Sequence, residues 1–240
     1  MQVLSSAIRL GAGLLALAAG VLVFFLACLL LLPSRRARIV ACNWFGKTVG
    51  RSMLWFIGAG VPAGGPARLQ AAFPAIYVSN HSSIIDNFLG MWLSPVGTVG
   101  VAKKEIVYFP FLGLLYLVSG HLRVDRSDRA SAAQDMARLA ELVRRHRLGI
   151  WIWPEGTRSA DGRLQPFKKG FVHLAVATGL PVVPVVVRGA YEGWRKNSLL
   201  IVPTDLRVDV LEPIPTTRWT LEDTDAHVEE VHRRFRAVLA

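Results

Sequence analysis

The sequence predicts an α/β fold, with a mixed and largely buried sheet flanked by helices, and a membrane-anchoring helical segment at the amino terminus. Three observations lead to this prediction. A long apolar run without charges occupies the amino-terminal region. Further along the chain, short β-rich runs alternate with helical segments, which is typical of α/β proteins. Several of these runs are apolar at every position, which indicates strands buried on both faces of a sheet.

The amino-terminal run from residue 10 to residue 33 contains no charged side chain. As a helix it is long enough to cross a hydrocarbon layer of about 30 Å, and a helix lying within one leaflet would show the same composition. The run continues well past the small residues around Ala18, which argues against a cleaved signal peptide. We therefore expect the chain to stay attached to a membrane.

The segment after this run carries a cluster of arginines at residues 34–38. By the positive-inside tendency, the cluster places the rest of the chain on the cytoplasmic side, which in a bacterium means the inner membrane. The next apolar stretch is interrupted by Asn43, Lys47 and Arg51, which are four residues apart and share one face of a helix. This pattern favours a helix lying in the membrane interface over a second crossing.

The formal charge of the chain is +11, and residues 1–80 contain basic side chains but no Asp or Glu. Such a region suits an anionic membrane surface. Nucleic acid is the other partner that a basic chain suggests, but the sequence has no zinc finger, RNA-recognition motif or basic helix with heptads, so we expect no nucleic-acid partner. Cys28 and Cys42 both lie in apolar sequence, so the sequence predicts no disulfide framework. The histidines do not have the spacing of metal ligands, so the sequence predicts no metal site.

A stretch rich in proline and glycine at residues 61–66 marks a predicted boundary between an anchoring segment of residues 1–62 and a catalytic domain of residues 63–240. Strands are expected at residues 75–79, 98–102, 149–153, 182–187 and 206–211. One helix is expected at 127–147, capped by Ser127, with Ala132, Met136, Leu139 and Val143 on one face. A second is expected at 220–239, acidic at its start and basic at its end, burying Val228, Val231, Phe235 and Val238.

The first candidate functional motif is AIYVSNHSSIID at residues 75–86, in which a strand runs into a polar turn and then an apolar helical segment. His81 and Asp86 are five residues apart, which on a regular helix separates them by about 140°. They can pair only if His81 lies in the loop before the first turn. Asp86 would then fix the imidazole tautomer and leave the other nitrogen to act as a general base. Taken alone, the same residues also fit a helix cap and a first-turn acid.

The second motif is IWIWPEGTRS at residues 150–159, again a strand that leads into a turn. The turn at Gly156 can offer backbone N–H groups to a phosphate, Thr157 can offer a hydroxyl, and Arg158 can offer a planar guanidinium. Glu155 cannot bind phosphate directly, so we expect it to orient Arg158 or to accept a hydrogen bond from a glycerol hydroxyl. The alternative is a strand-end turn closed by a local ion pair between Glu155 and Arg158.

In this order and spacing the two motifs resemble the glycerolipid acyltransferase family, which includes bacterial lysophosphatidic acid acyltransferases. The family's N-H-x-x-x-x-D block corresponds to Asn80, His81 and Asp86, and its F-P-E-G-T-R-S block to residues 153–159, with Trp153 in place of phenylalanine. A looser second block occupies residues 120–126, and an apolar V-P-V block lies within residues 180–186. The resemblance extends over roughly residues 75–189 and implies the glycerolipid acyltransferase fold.

The resemblance implies that His81, paired with Asp86, deprotonates the acceptor hydroxyl, which attacks an acyl thioester directly. The donor is acyl-CoA or acyl-ACP, so acyl carrier protein is an expected partner, and no other cofactor is needed. The lack of a G-x-S-x-G elbow agrees with a mechanism that has no acyl-enzyme. The residues implied in binding the acceptor phosphate are Lys103, Arg126 and Arg158. The rest of the implied substrate-binding set is Asn80, Glu155, Gly156 and Thr157. Of these, Asn80 and Gly156 hold backbone geometry and hydrogen bonds near the reacting centre.

The expected reaction is therefore acylation of the sn-2 hydroxyl of lysophosphatidic acid, a membrane lipid, to give phosphatidic acid. A different lyso-lipid, such as a lyso-ornithine lipid or a lysophospholipid with a larger headgroup, remains an alternative acceptor. A lipid hydrolase is disfavoured because no serine elbow is present. A non-catalytic membrane scaffold would have no physical need for His81 and Asp86 together.

Overall fold

The computed structural model of the protein describes residues 2–60, 65–108, 112–124 and 129–239. Its strands are β1 (Ala59–Gly60), β2 (Ile76–Ser79), β3 (Thr98–Lys103), β4 (Leu122–Val124), β5 (Gly149–Ile152), β6 (Val182–Arg188), β7 (Thr204–Asp205) and β8 (Arg207–Val210). Its α-helices are α1 (Gln2–Leu30), α2 (Arg35–Ile57), α3 (Gly65–Ala71), α4 (Ile85–Leu93), α5 (Leu112–Val118), α6 (Arg129–His146), α7 (Gly170–Thr178), α8 (Ala190–Gly193) and α9 (Thr224–Leu239), and a short 3₁₀ helix covers Lys104–Tyr108.

Six of these strands form one sheet in the order β4-β3-β5-β2-β6-β8. All neighbouring pairs are parallel except β6 with β8, which is antiparallel, so the sheet is mixed as predicted. β2 and β5 are buried at every position, which confirms the expectation of a buried sheet. Because β2, β3, β4 and β5 are parallel, their carboxyl ends lie at one edge, where ligands bind in open α/β sheets.

Helices cover both faces of the sheet, and alternate residues of β2 show this directly. Ile76 and Val78 belong to a cluster that contains core residues of α6, α7 and α9. Tyr77, on the opposite face, belongs to a cluster with core residues of α2, α3 and α4. The strand period of two therefore divides the apolar side chains between two helical layers.

The predicted strands and helices are present, with shifts at some boundaries. α9 begins at Thr224 rather than at residue 220, because the Thr220 hydroxyl donates to Asp223 Oδ2 over 3.1 Å and holds the preceding residues in a turn. Val231 and Phe235 of this helix are buried as predicted, whereas Val228 and Val238 are only partly buried against the same core. α6 runs from Arg129 in the described part of the chain, and the predicted cap Ser127 lies outside the described residues.

α1 and α2 form an antiparallel hairpin at the amino terminus. Ser34 caps α2, since its Oγ accepts the Ala37 N–H over 3.2 Å. Leu17, Val21, Phe24 and Cys28 of α1 pack against Cys42, Val49 and Met53 of α2. The other side of α1 exposes a row of leucines together with Val23. By length and composition the stretch Gly11–Leu30 could cross a membrane.

α2 also packs directly against α4 and the sheet. A Cβ atom on Gly50 would overlap the carbonyl of Phe88, so only glycine allows the two helices to approach this closely. The buried Asn43 amide donates to the Thr98 carbonyl over 2.9 Å. The polar face of α2 was expected to mark an interfacial helix, yet at Asn43 it faces the sheet. The division of the chain at residue 62 stays a prediction.

Candidate active site

His81 lies in the loop between β2 and α4, at the carboxyl edge of the sheet. Its Nδ1 is 3.1 Å from Oδ2 of Asp86, which lies in the first turn of α4. This hydrogen bond places the proton of the neutral ring on Nδ1 and leaves Nε2 as the basic nitrogen. The His81 side chain is 12% exposed, and the described residues provide no hydrogen bond to Nε2. Nε2 is therefore available to a substrate.

Asp86 is held rigidly as the partner of His81. Its Oδ2 also accepts the backbone N–H groups of Ser82 at 2.7 Å and Ser83 at 2.8 Å. The carboxylate therefore fixes the loop and the imidazole at the same time. Its other oxygen, Oδ1, is buried and has no hydrogen-bond partner among the described residues. An unpaired buried oxygen costs stability, and such costs are typical of functional positions.

The loop after β5 holds His81 from the other side. The backbone N–H of His81 donates to Glu155 Oε1 over 2.7 Å, and the N–H of Ser159 donates to the His81 carbonyl over 2.8 Å. The ring of Trp153 stacks on the imidazole with centroids 4.8 Å apart and an interplanar angle of 24°. The two sequence motifs therefore form one structural unit around His81.

Glu155 binds backbone donors rather than Arg158, and the alternative expectation that it accepts a hydrogen bond from a glycerol hydroxyl stays a prediction. Its Oε2 accepts the Gln165 N–H over 3.1 Å, so both carboxylate oxygens bind backbone donors. Within the described ranges no ion pair forms between Glu155 and Arg158, and the expectation that Glu155 orients Arg158 finds no contact to support it. Burial raises the pKa of Glu155 to about 7, and the two backbone hydrogen bonds oppose this rise. No sequence pattern signals that a carboxylate will bind a backbone N–H in a distant motif.

Asn80 joins the end of β2 to the end of β6. Its Nδ2 donates to the Val187 carbonyl over 2.9 Å, and its Oδ1 accepts the Val187 N–H over 2.8 Å. The amide is buried and both of its polar atoms are used in this way. Asn80 therefore positions the backbone before His81, and its place in the substrate-binding set stays a prediction.

The candidate anion-binding side of the site is the turn at Gly156. Gly156 has φ +74°, a left-handed conformation that a side chain would strain, and a Cβ there would lie 2.9 Å from Lys168 Nζ. The Lys168 amine therefore lies over the turn, a position that the sequence motif did not single out. Thr157 is exposed, and no acidic side chain in the described chain pairs with Arg158. The Gly156 N–H itself donates to the Trp153 carbonyl over 3.1 Å, so it is the positive charges of Arg158 and Lys168 that suit an anionic ligand at this turn.

Two further predicted phosphate ligands are placed only in part. Lys103 is the last residue of β3 and pairs in register with Val124, so its backbone lies at the same edge of the sheet as the loops that hold His81 and Arg158. β4 ends at Val124, at that same edge. Arg126 lies outside the described residues.

The arrangement suits base catalysis, and neither cysteine lies near it. Both cysteines are buried in the contact between α1 and α2 rather than at the carboxyl edge of the sheet. Within the described ranges no group of three or more histidine, cysteine or acidic side chains could hold a metal ion. At this edge the Nε2 atom of His81 accepts no hydrogen bond from the described residues.

Comparison with known proteins places these features in context. The acyltransferase family model matches residues 61–188. The chain is 44% identical over 203 residues to a 1-acyl-sn-glycerol-3-phosphate acyltransferase of Limnanthes alba, covering 85% of this chain and 72% of that protein. It is 41% identical over 235 residues to the protein of the same name from Cocos nucifera, covering 98% of this chain and 76% of that protein.

A solved structure also shares the fold. The crystal structure of the 1-acyl-sn-glycerophosphate (LPA) acyltransferase from Thermotoga maritima superimposes with a TM-score of 0.71. The two chains are 24% identical, and the alignment covers 97% of this chain and 98% of that chain. The likeness confirms the predicted fold class.

Proposed function

The chain belongs to the acyltransferase family, and from that premise we propose that it acylates the sn-2 hydroxyl of lysophosphatidic acid to give phosphatidic acid. Membership follows from the family match over residues 61–188 and from relatives above 40% identity over most of the chain. Those relatives are named for this activity, and the chain is accordingly a 1-acyl-sn-glycerol-3-phosphate acyltransferase. The observation that carries the chemistry is the hydrogen bond between His81 Nδ1 and Asp86 Oδ2.

This hydrogen bond supports a direct transfer with His81 as the general base. Nε2 of His81 takes the proton of the acceptor hydroxyl while the hydroxyl oxygen attacks the carbonyl carbon of the thioester. A carbon–oxygen bond forms and the carbon–sulfur bond breaks. The imidazolium returns its proton to the leaving thiolate, so His81 ends the cycle neutral. Asp86 stabilises the imidazolium between these two steps.

The acceptor phosphate binds at the turn after β5. Arg158 supplies a guanidinium that can bind two phosphate oxygens, and the exposed Thr157 beside it supplies a hydroxyl. The Lys168 amine above Gly156 adds a second positive charge. Lys103, which ends β3 at this edge, and Arg126, which follows the end of β4 in sequence, complete the proposed set. A phosphate at this turn lies close to His81, because Ser159 N–H binds the His81 carbonyl.

The donor is an acyl thioester, and either acyl-CoA or acyl-ACP supplies one. Both present the same carbonyl carbon and the same sulfur leaving group to His81. No cofactor beyond this co-substrate takes part. Acyl carrier protein is a partner of the chain if the second donor is used.

The chain works at a membrane with its catalytic edge facing the cytosol. A groove of about 650 Å³ along α2 is lined by Trp44 and Trp55, which are exposed, and by Lys47 and Arg51. Exposed tryptophans with basic residues are typical of the headgroup region. Within the arginine cluster, Arg38 donates to the Val118 carbonyl over 3.0 Å, so its guanidinium lies against the protein. The cluster therefore contributes less to membrane binding than its charge suggests. For a chain of bacterial origin, the predicted compartment is the inner membrane.

The assay that tests this function uses the purified chain in detergent with oleoyl-CoA or acyl-ACP and a panel of acceptors. We expect phosphatidic acid from lysophosphatidic acid, and little product from lyso-ornithine lipid or lysophosphatidylcholine. Arg158→Gln should raise KM for lysophosphatidic acid about tenfold or more, since a charged hydrogen bond contributes roughly 1.5–3 kcal/mol. The matched control is Arg163→Gln, an exposed arginine beside Asp161. Equal rates on all acceptors would contradict the proposed substrate.

A further inference from the structure

The loop at residues 194–203, which joins α8 to β7, exposes an unusual amount of apolar surface. It has no regular secondary structure, and Leu199, Leu200 and Val202 are 81%, 41% and 42% exposed. Ile201 between them is buried in the cluster formed by α2, α4 and the sheet. The buried side chain fixes the loop to the core while its neighbours point away from it. The exposed surface is therefore presented by a fixed segment.

The charge of this loop matches an anionic surface. Arg195 and Lys196 precede the exposed leucines, and residues 194–203 contain no Asp or Glu. Aliphatic side chains next to cations are typical of segments that lie in the interface of an anionic membrane. An exposed apolar cluster on a water-soluble face would instead be a liability for aggregation.

The loop connects the hairpin at the amino terminus to the active site. β7, which follows the loop, pairs in parallel with β1, which follows α2. At the other end of the loop, the Trp194 carbonyl accepts from Ser83 Oγ over 2.7 Å, and Lys196 Nζ donates to the Arg158 carbonyl over 3.0 Å. The loop thus touches both segments that surround His81 and lies on the side of the sheet that carries α2.

We propose that the 194–203 loop is a second membrane contact, in which Leu199, Leu200 and Val202 enter the surface of an anionic bilayer. α1 and α2 alone fix only one part of the chain to lipid. A second contact at the carboxyl edge of the sheet holds that edge, with His81 and Arg158, against the surface where the lipid acceptor lies. The inference goes beyond the acyl transfer proposed above, because it concerns lipid contact and is measured without turnover.

The test places a fluorophore on the loop of the full chain in vesicles of phosphatidylglycerol and phosphatidylcholine. Leu199→Cys and Val202→Cys each receive a bimane label, and the unsubstituted chain, whose Cys28 and Cys42 are buried, gives the background. The matched control is Leu221→Cys, since Leu221 is 53% exposed but is followed by Glu222 and Asp223. Quenching is measured with nitroxide-labelled phospholipid and with aqueous iodide.

The expected result is that lipid nitroxide quenches the labels at 199 and 202 at least threefold more than the label at 221, while iodide shows the reverse order. Equal iodide quenching at all three positions would overturn the proposal. So would protection of the loop labels only after acyl carrier protein is added, because the loop would then be a protein-docking surface. Wild-type acyl transfer is measured separately, so that failure of the membrane contact and failure of the enzyme activity are distinguished.

Discussion

The backbone N–H of His81 donates to Oε1 of Glu155 over 2.7 Å. This hydrogen bond joins two motifs that lie far apart in sequence, and it connects the loop after β2 to the loop after β5. The Glu155 carboxylate is buried at the join, where it also accepts the N–H of Gln165. The Glu155 carboxylate therefore helps to set the position of the His81 ring relative to the Gly156 turn, together with the Ser159 N–H and the Trp153 ring.

Replacing Asp86 by asparagine is expected to lower kcat roughly 10³- to 10⁴-fold while KM changes little. The asparagine amide can donate to Nδ1, which moves the imidazole proton to Nε2 and removes the base. Steady-state kinetics with thermal unfolding of both proteins checks this. A loss of less than tenfold in a folded Asp86→Asn variant would show that Asp86 does not set the tautomer.

Changing Trp153 is expected to separate ring stacking from simple volume. Trp153→Phe keeps an aromatic face against His81, so kcat/KM should stay within about threefold of the wild type. Trp153→Ala removes the stack, which contributes roughly 0.5–1.5 kcal/mol, and should lower kcat/KM by up to about tenfold. If both variants lose activity equally, the stacking of Trp153 on His81 has no role in catalysis.

Glu155 is expected to make stability depend on pH in a specific direction. Its pKa is raised from 4.5 to about 7 in the folded chain, so between these pH values the folded state keeps a proton that the unfolded state has lost. The free energy of unfolding should therefore fall as pH rises through this window. Glu155→Gln cannot titrate and should lack this component. Melting temperatures from pH 4.5 to 8 check the difference, and identical slopes for the two proteins would contradict it.

Removing the Asn80 amide is expected to cost stability more than chemistry. Asn80→Ala leaves the N–H and carbonyl of Val187 without partners in a buried position, which costs roughly 1–3 kcal/mol for each unsatisfied group. Denaturant unfolding should report this loss, with kcat of the folded fraction reduced only severalfold. An unchanged unfolding midpoint would mean that the hydrogen bonds to Val187 do not hold the loop.

The strands and helices could be predicted because their patterns are local. The apolar runs of β2, β5 and β6 are unambiguous, and the mixed buried sheet follows from them. The start of α9 was predicted too early because an acidic first turn and a capping turn at Thr220 have the same composition. On α2, Asn43, Lys47 and Arg51 share one helical face. Their spacing does not show whether that face meets lipid headgroups or, as Asn43 does, carbonyl groups inside the protein.

The residues of the candidate site could be identified from the motifs, but most of their contacts could not. The pairing of His81 with Asp86 was conditional on the loop position of His81, which sequence spacing does not fix. Glu155 binds the N–H of His81 and Asn80 binds Val187, each more than seventy residues away in sequence, so no local pattern predicts these two contacts. For Glu155 the motif suggested the neighbouring Arg158 because local ion pairs are the simplest use of adjacent charges.

The most direct test of base catalysis by His81 compares the wild-type chain with His81→Ala in detergent, with oleoyl-CoA and lysophosphatidic acid as substrates. Free thiol and phosphatidic acid are followed together, and thermal unfolding confirms that the variant is folded. We expect both products to rise in step for the wild type and His81→Ala to slow both by roughly 10³-fold or more. A folded His81→Ala variant that still makes phosphatidic acid within tenfold of the wild-type rate would contradict the role of His81 as the base.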